Sequence, residues 1–130
     1  MSTTQLSHLV LKVNKNQDTL NFYRDLFELL GYTQTIYDSN FWNFGDKSIS
    51  VGLYFEEEFY AADENTVGLG HLAWDVGSQD VIDNAALLIQ KYNLATETLG
   101  SIKAHHGIDF FTCCFYCPSG NRLELVYLPK

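Results

Sequence analysis

The chain has 130 residues, 46% of them hydrophobic and 15% aromatic, enough for one domain whose core needs neither disulfides nor a structural metal. Sixteen acidic against eight basic side chains give a formal charge of -8, which opposes the electrostatic term that dominates binding to phosphate backbones, so neither nucleic acid nor anionic membrane is an expected partner. No apolar run reaches the ~20 residues of a membrane span, and the polar start Met1 to Gln5 lacks the pattern of a signal peptide; the expectation is a cytoplasmic protein.

In chain order, His8 to Val13 alternates as a strand, and Asn16 then caps an amphipathic helix over 17–30 with Leu20, Tyr23, Phe27 and Leu30 as its apolar stripe. Gly31 ends that helix. Three strand-like runs follow, Tyr32 to Tyr37, Phe41 to Asn43 and Ser48 to Phe55, the last entered by a turn at Asp46. Residues 56–67 form an acidic connector, in which Glu56, Glu57 and Glu58 read as a solvated linker rather than a cation site. His71 to Val76 is the next strand, followed by a helix over 79–92 with Ser78 as N-cap, Ile82, Ala85, Ile89 and Tyr92 as stripe, and Asn93 at its end. Ala95 to Leu99, Phe110 to Tyr116 and Arg122 to Leu128 close the chain, with Pro118-Ser119-Gly120-Asn121 as the final turn.

The order repeats. His8-Leu9-Val10-Leu11-Lys12-Val13 and His71-Leu72-Ala73-Trp74-Asp75-Val76 both read H-L-x-x-x-V, and each opens a βαβββ unit. The predicted architecture is a single α+β domain over 1–130, with one module at about 5–55, the connector at 56–67 and a second module at about 68–129. The two modules are expected to form a curved, partly open, barrel-like mixed sheet with both helices outside.

Strand parity selects the site. Leu9, Leu11 and Val13, like Leu72, Trp74 and Val76, form the side on which a helix packs, so His8 and His71 face away from the helices. In the last strand Leu123, Leu125 and Tyr127 take the apolar side, which leaves Arg122, Glu124 and Val126 on the other. His8, His71 and Glu124 therefore project to one concave face. Two imidazoles and a carboxylate suit one divalent ion (Fe, Mn, Zn, Ni or Co) and leave coordination positions open for a ligand. Any one of the three alone reads as an ordinary strand residue; the recurrence of histidine at one place in two copies is what argues for a metal.

The remaining residues carry weaker signals. Cys113, Cys114 and Cys117 are an odd number crowded into an aromatic strand and its end, and read as small apolar residues of a reduced protein rather than as a thiol site. His105 and His106, in a polar loop, are candidates for proton transfer or a plain surface pair. Tyr54, on the concave face by parity, is a candidate to orient a substrate. So are Ser50 and Arg122. Phe41, Trp42 and Tyr116 are candidates to line an apolar cavity, a hint of an aromatic or hydrophobic substrate.

The run from His8 to Val13, the stretch Leu20-Asn21-Phe22-Tyr23-Arg24-Asp25-Leu26-Phe27-Glu28-Leu29-Leu30-Gly31, the segment Gly70 to Val76 and the closing Pro118-Ser119-Gly120-Asn121-Arg122-Leu123-Glu124-Leu125 together resemble the vicinal oxygen chelate superfamily, over nearly the whole chain. That superfamily includes glyoxalase I, fosfomycin-resistance thiol transferases, extradiol dioxygenases, methylmalonyl-CoA epimerase and bleomycin-resistance proteins. The resemblance puts His8, His71 and Glu124 on the family's metal-ligand positions and implies a homodimer. It implies a metal-dependent enzyme acting on a small molecule with neighbouring oxygens, by Lewis-acid or O₂ chemistry; the alternative is a non-catalytic, bleomycin-resistance-like binding protein. Glyoxalase chemistry is disfavoured, because Ser48, Ser50, Gly52 and Tyr54 supply no acid where glyoxalase I has its fourth ligand. Two arginines in the whole chain are too few for a phosphonate site.

Overall fold

The computed structural model describes residues 4–45, 49–57, 68–103 and 109–129. The first module consists of β1 (His8–Asn14), α1 (Gln17–Leu29), β2 (Thr33–Tyr37), β3 (Phe41–Gly45) and β4 (Ser50–Glu56). The second consists of β5 (Leu72–Asp75), α2 (Gln79–Lys91), β6 (Thr96–Lys103), β7 (Asp109–Tyr116) and β8 (Arg122–Tyr127). Each module makes a four-stranded mixed sheet, in the orders β1-β4-β3-β2 and β5-β8-β7-β6. The pairs β1–β4 and β5–β8 are parallel and the rest antiparallel. The fold is the expected α+β pair of βαβββ modules, and among the described residues the sheets do not close into a barrel.

Both helices start and stop as their sequences dictate. Asn16 is extended, and its side-chain oxygen accepts from the Thr19 amide at 2.9 Å. Ser78 is extended too, but its side chain makes no capping bond. Gly31 and Asn93 take positive φ, +78° and +53°, and the amides that follow them reach back to Phe27 and Ile89, so both helices end in the same left-handed cap.

The buried face of α1 is rotated from the expected stripe. Phe22, Tyr23, Leu26 and Phe27 are fully buried, whereas Leu20 and Leu30 only pack against the core from its margin. The reason is that α1 serves both modules. The Phe22 ring meets Phe115 of β7 at 6.0 Å and Tyr92 at 5.8 Å, and Phe27 lies between Phe44 of β3 at 4.4 Å and Trp74 of β5 at 6.2 Å. A helix buried from two sides needs a wider apolar arc than one stripe supplies. One hydrophobic core thus runs through both modules. Polar bonds add to it: the Asn14 amide donates to Ser119 Oγ at 2.9 Å, and Asn121 Nδ2 donates to the Lys12 carbonyl at 3.4 Å, tying the end of β1 to the turn before β8.

β6 runs four residues past the expected Leu99. Its antiparallel ladder with β7 continues through Gly100↔Thr112 to Lys103↔Asp109, so pairing carries the strand over a glycine that reads locally as a break.

The helices are also bridged at their exposed side. Asp25 of α1 accepts from Tyr92 Oη at 2.6 Å and from Lys91 Nζ at 3.0 Å. Burial opposes ionisation of Asp25, but those two hydrogen bonds and the Lys91 charge outweigh it and hold the carboxyl below its ordinary range. A carboxyl depressed in the folded chain contributes stability above its unfolded pKa of about 3.9, and that contribution is lost as pH falls through the folded value. Urea titrations should therefore show the wild type losing more stability than Asp25→Asn between about pH 5 and pH 3. Tyr92→Phe should cost about 1–2 kcal/mol at pH 7.

Candidate functional site

The site lies on the sheet face opposite the helices, and it is best formed in the second module. There β8 presents Glu124, flanked by β5 and β7 in the registers Ala73↔Glu124 and Cys114↔Glu124. His71, just ahead of β5, brings Nε2 to 3.4 Å from Glu124 Oε1. The other carboxylate oxygen accepts a 2.7 Å hydrogen bond from Thr112 Oγ1 of β7. Thr112 is fully buried, Glu124 mostly buried and His71 half-exposed. The carboxylate is thus divided between a fixed donor below and an imidazole at the surface.

Beside this pair stands a second polar group. Glu97, at the β6 bulge, accepts from Arg122 Nη2 at 2.7 Å on Oε1 and from Tyr116 Oη at 3.3 Å on Oε2, which also stands 2.7 Å from Arg122 Nε as an ion pair, with Cys114 Sγ 3.9 Å away. The carboxylate neutralises Arg122 and holds it along the sheet, leaving it no free charge for an anionic substrate.

The first module repeats the frame with different chemistry. His8 is exposed, its ring nitrogen 3.0 Å from Ser7 Oγ, and it pairs in register with Ser50. The repeat equates Leu9 with Leu72, so the registers Leu9↔Val51 and Leu72↔Leu123 make Val51 the counterpart of Leu123 and Gly52 the counterpart of Glu124. No second carboxylate answers Glu124, because the equivalent place is a glycine. Among the described residues no third His, Cys, Asp or Glu joins His71 and Glu124 in a metal-sized group. The trio selected by parity is thus brought together as a pair, with His8 outside it.

Other candidates divide likewise. Ser50 and Tyr54 share the His8 face, Tyr54 exposed beside Lys12 and Phe41. Tyr116 and Arg122 share the Glu124 face. Trp42 does not line this face. It is buried on the helix side, opposite Leu53, 5.1 Å from the Phe55 ring and under the Arg24 guanidinium. In Phe41-Trp42-Asn43-Phe44 aromatics occupy both phases, so composition does not show which one faces the core; pairing with β4 does. His105 and His106 lie outside the described residues. Thr112 and Glu97 are the participants that sequence reading passed over. Thr112 has the parity of Cys114 and was within reach of the same argument, whereas Glu97 depends on a bulge that no local signal marks.

No protein-family model matches the sequence, and no curated protein matches it significantly. Solved structures do match. A glyoxalase-like protein from Bacillus halodurans superposes with a TM-score of 0.80 at 16% identity, over 96% of each chain. A glyoxalase/bleomycin resistance protein from Albidiferax ferrireducens gives 0.74 at 16% identity, over 95% of this chain and 98% of that one. A lactoylglutathione lyase from Agrobacterium tumefaciens gives 0.65 at 17% identity, over 98% and 96%. The chain has the vicinal oxygen chelate fold.

Within this fold the three cysteines are free and buried. Cys113 belongs to the core, and burial pushes its thiol up to about 12. Cys114 lies on the site face and Cys117 in the turn against Tyr23; burial raises both. A thiol held protonated is a poor nucleophile. Ellman's reagent should therefore label the native protein slowly and all three thiols at once in denaturant; rapid labelling of one thiol in the native state would assign it a reactive role.

Proposed function

We propose that the protein is a divalent-metal-dependent enzyme acting on a small molecule with two neighbouring oxygens, its ion held by His71 and Glu124 of one copy and by His8 of a second. The observation that carries this reading is the His71–Glu124 pair. Donors that each stand about 2.1 Å from an ion are about 3.0–3.4 Å apart, and these two are 3.4 Å apart. Thr112 meets the requirement that an outer partner orient a ligating carboxylate. The donor set fits Fe, Mn, Zn, Ni or Co. Since His8 sits at the equivalent place of the other module without joining the pair, a homodimer that sets one copy's first module against the other's second supplies the third donor.

When bound, the ion would supply Lewis-acid or O₂ chemistry. The chain's own residues fix the geometry: Thr112 holds Glu124, and Glu97 holds Arg122 at the rim. No helix among the described residues is long and apolar enough to cross a membrane, which accords with a small-molecule enzyme of the cytoplasm.

Elemental analysis of untagged protein tests the reading. One ion per chain is expected in the wild type, lost in His8→Ala, His71→Ala and Glu124→Ala. Thr112→Val should fold but weaken metal binding by about tenfold or more. A wild type that takes up none of the five ions would overturn the proposal and favour a metal-independent binding protein of the bleomycin-resistance kind.

A further inference from the structure

β6 is an edge strand of its sheet, and it is distorted where it reaches the site. Thr96 stands opposite Phe115 and Thr98 opposite Cys114, so Glu97 is the extra residue of a bulge, which sets two residues where a regular strand sets one. Glu97 is thereby aimed at Arg122 and Tyr116. Its carboxylate meets the Arg122 guanidinium edge to edge, Nη2 to Oε1 and Nε to Oε2, both at 2.7 Å, and Tyr116 Oη donates to Oε2 at 3.3 Å. Two short parallel contacts of this kind fix a guanidinium in one plane and cancel its charge locally.

The place of this pair matters more than its strength. The side chains of Arg122 and Glu97 are 35% and 42% exposed, and a pair so exposed adds little to folding. Arg122, however, precedes Glu124 by two residues on one face of β8, roughly 7 Å along the strand, so a ligand chelated beside Glu124 has the pair as its neighbour. Charge then decides what is accepted. A divalent ion facing one carboxylate and neutral imidazoles has one positive charge left over, and the Glu97–Arg122 pair adds none, so a group that chelates as a monoanion leaves the site neutral. A further carboxylate or phosphate on the same ligand finds Arg122 already occupied and meets repulsion from Glu97.

We infer that Glu97 is a specificity-determining residue: by occupying Arg122 it selects a substrate that chelates as a monoanion and carries no second negative group. The inference rests on the proposed metal site. Removing the Glu97 charge frees the guanidinium and turns the preference round.

Two chelators with one head group test it, acetohydroxamate and the monohydroxamate of succinate, which adds a carboxylate. Titrated into Co²⁺-loaded wild type, acetohydroxamate should bind about fivefold more tightly. Glu97→Gln should shift the ratio about tenfold or more towards the succinate compound, and Glu97→Gln with Arg122→Gln should lose that shift. A ratio that is the same in wild type and in a folded Glu97→Gln protein overturns the inference; a purely structural role for Glu97 would move both affinities together. Failure of the metal reading is read separately, on metal-free protein, by phenylglyoxal modification of the two arginines, mapped by mass spectrometry. With Arg24 as reference, Arg122 should react several-fold faster in Glu97→Gln than in the wild type, and inorganic phosphate should slow it in the variant only. Equal reactivity of Arg122 in both proteins, or phosphate protection in the wild type, overturns the inference whether or not an ion binds.

Discussion

One face of each sheet is committed to a shared aromatic core, and everything at the site follows from that. Phe22 and Phe27 of α1 reach Phe115, Phe44 and Trp74 in strands of both modules. Truncating a buried aromatic of this kind costs about 3–5 kcal/mol, whereas a partly exposed polar contact such as that of His71 with Glu124 contributes about 1 kcal/mol or less. The core therefore decides the register and the polar pair accepts it. Because strand side chains alternate, assigning Leu11, Trp74 and Leu125 to the helices leaves no freedom for Val10, Ala73 and Glu124.

The same scaffold is built twice and used differently each time. Gly31 and Asn93 end the two helices by one geometry, and β1–β4 and β5–β8 pair in one register. On the open face the modules diverge: Ser50 answers Arg122, Gly52 answers Glu124, and Phe41 covers the place an acid would need. The division also accounts for the lone His8. Its module carries a histidine but has Gly52 where the other has Glu124.

Strand parity was legible because most apolar residues of His8 to Val13, His71 to Val76 and Arg122 to Leu128 fall in a single phase of each strand. That placed Glu124 and His71 on one face, and the structure puts them 3.4 Å apart. Parity failed where both phases are aromatic, at Trp42, and where a helix has two neighbours, at Phe22 and Leu26, because long-range packing settles those positions. Thr112 and Glu97 depend on which strand lies beside which, and in Glu97 on a bulge. Facing is a local property of a strand, whereas proximity across the site is set by topology.

The central claim is that first and second modules of different copies complete one site. The most direct measurement mixes His8→Ala protein with Glu124→Ala protein under conditions that exchange subunits, and determines metal content. Each variant alone should be empty, and the mixture should recover about a quarter of the wild-type content, because half of the chains pair as heterodimers with one intact site in two. A mixture that exchanges subunits and stays empty, while the wild type binds an ion, would place all three donors in a single chain and contradict the account.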